Sequence, residues 1–203
     1  MPRNFLYGAP LLVVLALTLA TSGWAGTATD QLRSRVDDVL KVLDDAAFKG
    51  AEHARARRVA VRRIMEAAID VHEMAQRALG RHWTERTEAE RREFVILFTD
   101  LLDRAYLGKI DAYDGDQISY IGEGVDGDRA VVQIRVTSPP QGNETLVDFR
   151  LMHAAGDDWR VDDVVIDGAS LVENYRGQFN TVIRRSSYGE LVKKIRSIIA
   201  DRK

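Results

Sequence analysis

Several groups of residues have types and spacings that chemistry uses. His72-Glu73 and His82 offer metal-ligating side chains. A zinc-protease helix needs two His four apart on one face with a Glu beside the first. Here the two His are ten apart with Gly80 between them, and the chain has no Cys, so no metal site is expected. His82, next to Trp83, reads as a surface or boundary residue. Ser170 follows Gly168-Ala169 but lacks the second Gly of a G-x-S-x-G nucleophile elbow. It stands three residues before Glu173, the spacing of a helix-opening capping box, and that role accounts for it. Asp162, Asp163 and Asp167 have the chemistry of a general acid/base pair, but at the end of a strand and its turn they read as a solvated face. Arg55, Arg57, Arg58, Arg62 and Arg63 suit an acidic partner or lipid headgroups, or else a wet helix face balanced by nearby acids. Gly122 and Gly124 fall in a hairpin, not ahead of a helix, so they make no phosphate cradle. No residue is assigned a catalytic role.

The elements that must position these groups come in a segregated order. Leu32, Val36, Leu40 and Leu43 give one helical stripe over 30–48, closed by Lys49-Gly50. Val61, Ile64, Met65 and Ala68 give a second over 52–69, and Val71, Met74, Ala75 and Ala78 a short third over 70–79, stopped by Gly80. Thr87 and Glu90 form another capping box. The helix it opens runs to about Gly108, with a wide apolar face of Phe94, Phe98, Leu101, Leu102, Ala105 and Tyr106. From Gln117 the period drops to two. Ile118 and Tyr120, then Ala130 to Val136, then Val147, Phe149 and Leu151, alternate with polar neighbours around the turns Asp126-Gly127 and Ser138–Asn143. Trp159 to Ile166 is a fourth strand, broken by Asp167-Gly168. A helix with Leu171, Tyr175, Phe179 and Ile183 follows, and then a last one opened by Ser187 and Glu190. Helices, a four-stranded antiparallel meander and helices again make an α+β domain.

Arg3 followed by the apolar run Leu11–Ala20 and the small residues near Ala25 has the layout of a secretory leader. The run is too short for a comfortable membrane span. Cleavage is expected after Ala25, leaving a single domain over 26–203. Removing 1–25 takes away Arg3 and no acid, so 28 basic and 31 acidic side chains remain, net −3. An acid-leaning chain is not expected to bind nucleic acid. Without Cys, an exported chain must take its stability from a packed core. The broad helical stripes and the apolar sheet face either close on each other or leave room for an apolar guest, and periodicity alone leaves both open.

The runs Met74–Trp83, Arg91–Tyr106, Trp159–Val164 and Gly168–Phe179 (GASLVENYRGQF) strongly resemble the MlaC family. These are periplasmic phospholipid-binding proteins of the lipid-asymmetry system, also known as toluene-tolerance or ABC-transporter auxiliary proteins. The resemblance covers the chain after the leader, in order. It implies a cystatin-like, nuclear-transport-factor-like fold: a twisted four-stranded antiparallel sheet wrapped by helices around an apolar pocket. It implies a non-enzymatic carrier, with phospholipid as cargo and no cofactor. The partners it implies are an inner-membrane MCE-domain subunit of an ABC transporter and an outer-membrane lipoprotein–porin complex. The pocket walls expected on this basis are Phe94, Phe98, Leu101, Leu102 and Tyr106 from the long helix, Val132, Ile134, Val147, Phe149, Leu151 and Val165 from the strands, and Leu171, Tyr175 and Phe179. A two-chain carrier is expected to hold a cavity at or above the top of the usual small-molecule range, roughly 300–1,000 Å³. Ile69-Asp70-Val71 and His82 depart from the family's aromatic pattern. A hopanoid-carrying branch of the family, an isomerase or dehydratase on a cystatin-like scaffold and a dry adaptor module are the alternatives.

Overall fold

The computed structural model describes residues 27–110, 113, 115–139, 142–154 and 156–201, with backbone alone for 107–110. The expected leader and cleavage site lie outside these residues. Among the described residues six helices and four strands follow the order expected, and a short fifth strand joins them: α1 (Ala28–Asp44), α2 (Ala54–Ala68), α3 (Val71–Leu79), α4 (Glu88–Ile110), β1 (Gln117–Asp126), β2 (Arg129–Ser138), β3 (Asn143–His153), β4 (Trp159–Ile166), β5 (Ala169–Ser170), α5 (Leu171–Arg185) and α6 (Tyr188–Ala200). Among the described residues no helix is long and apolar enough to cross a membrane.

Local chemistry sets most of the boundaries. The box at α4 closes in both directions: the Glu90 amide donates to Thr87 Oγ1 at 3.3 Å, and the Thr87 amide to Glu90 Oε2 at 2.8 Å. Each bond satisfies a donor that the first helical turn leaves unpaired. Ser187 caps α6 and Asp70 caps α3 through the amides of Glu190 and Glu73. The first helix ends earlier than its stripe suggests. Asp45 turns extended and accepts from the Ala47 amide at 2.8 Å, which restarts the chain as a single 3₁₀ turn over Ala46–Phe48.

The sheet is an open antiparallel meander in the order β1-β2-β3-β4-β5. Its fifth strand, not expected from the sequence, arises because Asp167 and Gly168 both take positive φ, 48° and 82°. Two such residues make the tight turn whose twist suits a hairpin. The turn folds Ala169 and Ser170 back onto Ile166 and Val165.

One face of the sheet is apolar, and α1 covers part of it. Ala28 and Leu32 pack on Ala130, Val132, Ile134, Val147, Leu151 and Val161, a cluster closed to solvent. A second cluster lies among α3, α4, α5 and α6. There Phe94 and Phe98, both at 0% exposure, meet Met74, Leu79, Phe179, Leu191 and Ile195. Ring centroids 5.4–6.0 Å apart join Phe94, Phe98, Tyr175 and Phe179, the separations at which aromatic pairs attract beyond simple burial.

Candidate functional site: an apolar chamber with a charged mouth

Between the two clusters, where α2 and α4 stand over the β3–β4 end of the sheet, lies a chamber of about 210 Å³. Phe149, Val164 and Ile166 form its floor, Met65, Leu102 and Tyr106 its roof, and Val71, Met74 and Leu171 its end. The floor depends on a bulge. Leu151 pairs with Val161 while Phe149 pairs with Val164, so the β4 register shifts by one residue between them. The extra residue brings Val164 and Ile166 onto the same face as Val161. Val165 pairs with Asp148 and is buried on the opposite face.

The same bulge explains Asp162 and Asp163. Both are buried, at 1% and 0% exposure, not the solvated face expected from sequence. Asp163 accepts from Ser170 Oγ at 2.6 Å and the Val172 amide at 3.1 Å, and pairs with Arg150 at 3.3 Å. Asp162 pairs with Arg77 at 2.9 Å and with Arg129. Buried carboxylates persist only when such partners replace water. These two aspartates thus fasten β4 to α3 and to the start of α5, with Ser170 serving at once as donor to Asp163 and as N-cap to Glu173. His82 is also buried, with Nε2 3.1 Å from Asn180 Oδ1. That contact joins the segment after α3 to α5 and corrects the surface reading. Among the described residues no group of three His, Cys, Asp or Glu is placed to hold a metal ion.

Of the residues expected to line a pocket, Leu102, Tyr106, Phe149 and Leu171 border the chamber. Val132, Ile134, Val147 and Leu151 continue its floor under α1. Phe94 and Phe98 lie deeper in the helical cluster. Leu101, Tyr175 and Phe179 line a separate groove of about 720 Å³ between α4, α5 and α6. The groove is larger, but its apolar wall is the edge of the helical cluster and Arg104, Gln178, Thr181 and Lys194 line the rest. The chamber lies between layers: α2 packs on α1 and β4, and α4 on α3 and α6.

The sequence singles out Arg62 as one of five arginines suited to headgroups or balanced by nearby acids, but not its place at the chamber or its partners on α4. Arg62, on the inner side of α2, meets Glu66 Oε1 at 3.0 Å, Asp103 Oδ2 at 2.9 Å and Asp100 Oδ1 at 3.6 Å. Arg62, Glu66 and Asp103 all line the chamber, and two of these ion pairs tie α2 to α4. The pairing of Arg62 with Glu66 was legible as an i, i+4 spacing; the link to α4 was not. Burial pushes the Asp103 carboxyl above its ordinary value against the pull of Arg62, and the charges of Asp100 and Glu66 add to the rise. A raised carboxyl binds its proton more tightly folded than unfolded. Its charge therefore costs stability at neutral pH, and the cost disappears as pH falls through the folded pKa. Asp103→Asn is accordingly expected to raise the melting temperature at neutral pH, with a margin that shrinks toward acid pH. A lower melting temperature at neutral pH would mean that the pair with Arg62 outweighs burial.

An open antiparallel sheet, helices on its apolar face and an apolar chamber between the layers define an α+β fold of interlayer-cavity type. The sequence matches the MlaC protein family over residues 33–197, and the chain belongs to that family. Its fold is similar to that of a phospholipid-binding protein from Ralstonia solanacearum, solved in complex with a phospholipid at 1.53 Å. The two chains are 26% identical with a TM-score of 0.76, covering 86% of this chain and 98% of the other.

Proposed function

We propose that this chain is a periplasmic phospholipid carrier that holds the acyl chains of a glycerophospholipid between α2, α4 and the sheet. The observation that carries this reading is the chamber itself, apolar on floor, roof and end, and charged only at its mouth. Family membership and the phospholipid complex of the similar Ralstonia protein support it. Each methylene withdrawn from water contributes about 0.8 kcal/mol, so a diacyl lipid cannot cross an aqueous space uncovered. An enclosed site solves that problem and an open groove does not.

At 210 Å³ the chamber is smaller than the size expected of a two-chain carrier, and below the usual range of roughly 300–1,000 Å³ for ligand pockets. Loading therefore requires α2 and α4 to part over the sheet. An acyl chain entering past Leu102, Tyr106, Phe149 and Leu171 would next meet Ile134, Val132, Val147 and Leu151 as α1 lifts. Phe94, Phe98, Leu101, Tyr175 and Phe179 would back the helical wall, and Val165 would steady the floor from behind. An enzymatic reading would have to use Asp103 or Glu66, the acids of the chamber wall; their pairing with Arg62, at 2.9 and 3.0 Å, makes both part of the mouth and neither a free base.

In this proposal residues 1–25 direct export and are removed after Ala25. The loaded protein then moves between an outer-membrane lipoprotein–porin complex and the MCE-domain subunit of an inner-membrane ABC transporter. Native mass spectrometry of the protein isolated from its periplasm, followed by lipid extraction, tests the reading. The mass expected is that of residues 26–203 with one phospholipid. A polycyclic terpenoid in the extract would reassign the cargo. A bare protein that takes up no lipid from vesicles would end the carrier reading. Val164→Trp, which sets an indole into the chamber from β4, is expected to abolish lipid loading while the chain stays folded. Undiminished loading would place the cargo elsewhere.

A further inference from the structure

Just outside the chamber, α2, α4 and β4 border an open depression of about 340 Å³, with Arg62, Glu66, Asp70, Thr99 and Arg160 as its polar lining. Arg62, Glu66, Ile69, Val71 and Thr99 border both spaces, which sets a polar vestibule directly beside the apolar chamber. The charges in and beside the vestibule are mixed and unequal. Arg62 holds Glu66, Asp103 and Asp100 within 3.6 Å. Arg160 gives its Nη2 to the carbonyls of Glu66 at 2.8 Å and Ile69 at 3.1 Å. Its Nε is shielded from solvent and has no hydrogen-bond partner among the described residues. Arg62 is thus surrounded by three carboxylates, those of Glu66, Asp100 and Asp103, while Arg160 and Asp70 complete the charged lining of the vestibule.

Resting on the carrier reading above, we propose that this vestibule selects a zwitterionic phosphoammonium headgroup, such as phosphoethanolamine or phosphocholine, over a net-anionic one. A headgroup phosphate suits the guanidinium groups of Arg62 and Arg160, which bind phosphate through paired N–H donors. Placing it there displaces carboxylates from Arg62. An ammonium a few bonds away on the same lipid offers those carboxylates a cation in place of the one they lose. A phosphoglycerol headgroup brings the phosphate without the ammonium and leaves Glu66 and Asp100 uncompensated beside a new negative charge.

The test loads the purified mature protein from vesicles holding equal amounts of phosphatidylethanolamine and phosphatidylglycerol with identical acyl chains. Bound species are counted by native mass spectrometry. The ethanolamine lipid is expected to be enriched roughly fivefold, the ratio that one exposed charge pair supports. The double variant Glu66→Gln/Asp100→Asn should erase that preference. Its side chains are 54% and 38% exposed in the parent, so the fold does not depend on them. Loading of both lipids in equal amounts, or a preference unchanged in the double variant, would overturn the headgroup assignment and leave the carrier reading standing. Loading of neither lipid would overturn the carrier reading and this assignment with it.

Discussion

Phe98→Ala is expected to destabilise the protein by about 3–5 kcal/mol, the range for emptying a fully buried Phe, and to lower its melting temperature by roughly 10 °C. Phe98 is at 0% exposure, and its ring lies 6.0 Å from Phe94, 5.4 Å from Tyr175 and 6.0 Å from Phe179. Removing it opens a hole where α4 and α5 meet, and the neighbouring rings are too rigid to fill it. Ile96, on the same helix but 63% exposed, is the matched control, and Ile96→Ala should change stability by less than about 0.5 kcal/mol. Urea or thermal unfolding of the two variants checks the pair. A loss for Phe98→Ala as small as the control's would mean that the aromatic cluster is not the support of the helical layer.

The second large effect concerns Asp163. Asp163→Ala leaves the Val172 amide, Ser170 Oγ and Arg150 without their shared acceptor. Breaking a buried ion pair from one side costs about 3–5 kcal/mol. Asp163→Asn keeps Oδ1 for the Val172 amide but puts an NH₂ donor where Oδ2 accepts from Ser170 Oγ and Arg150, so it should recover only the part of that loss carried by the amide contact. Unfolding measurements on both variants separate the two contributions. Equal losses for Asn and Ala would remove the amide contact as a source of stability and leave only the pairing of Asp163 with Arg150 at 3.3 Å and with Arg77 at 3.9 Å.

The expectations that held and those that failed divide by the distance over which the deciding interactions act. Capping boxes are written within four residues, so Thr87/Glu90, Ser170/Glu173 and Ser187/Glu190 could be read directly, and each does cap a helix. The three long strands before Trp159 follow from alternation, which one wet face imposes on an antiparallel sheet. Alternation fails in β4 because of a single extra residue. Counting in twos from Val161 puts Val165 with the chamber floor, whereas the bulge at Asp162 puts Val164 and Ile166 there. Nothing local announces a bulge. It is stabilised by Arg77, Arg129 and Arg150, which reach Asp162 and Asp163 from other elements.

Asp162, Asp163 and His82 were misread for the same reason: a polar side chain looks solvated until its distant partner is known. The sequence alone settled the α+β order, the helix starts and the family resemblance, because these rest on periodicity, on short-range hydrogen bonds and on motif runs. Only the tertiary structure decided which apolar faces meet dry and which enclose the chamber. It also brought Arg62 of α2 against Asp103 of α4 at the mouth. Cavities and their polar rims are formed by the gaps between elements, and a gap is a property of how the elements pack and not of any one of them.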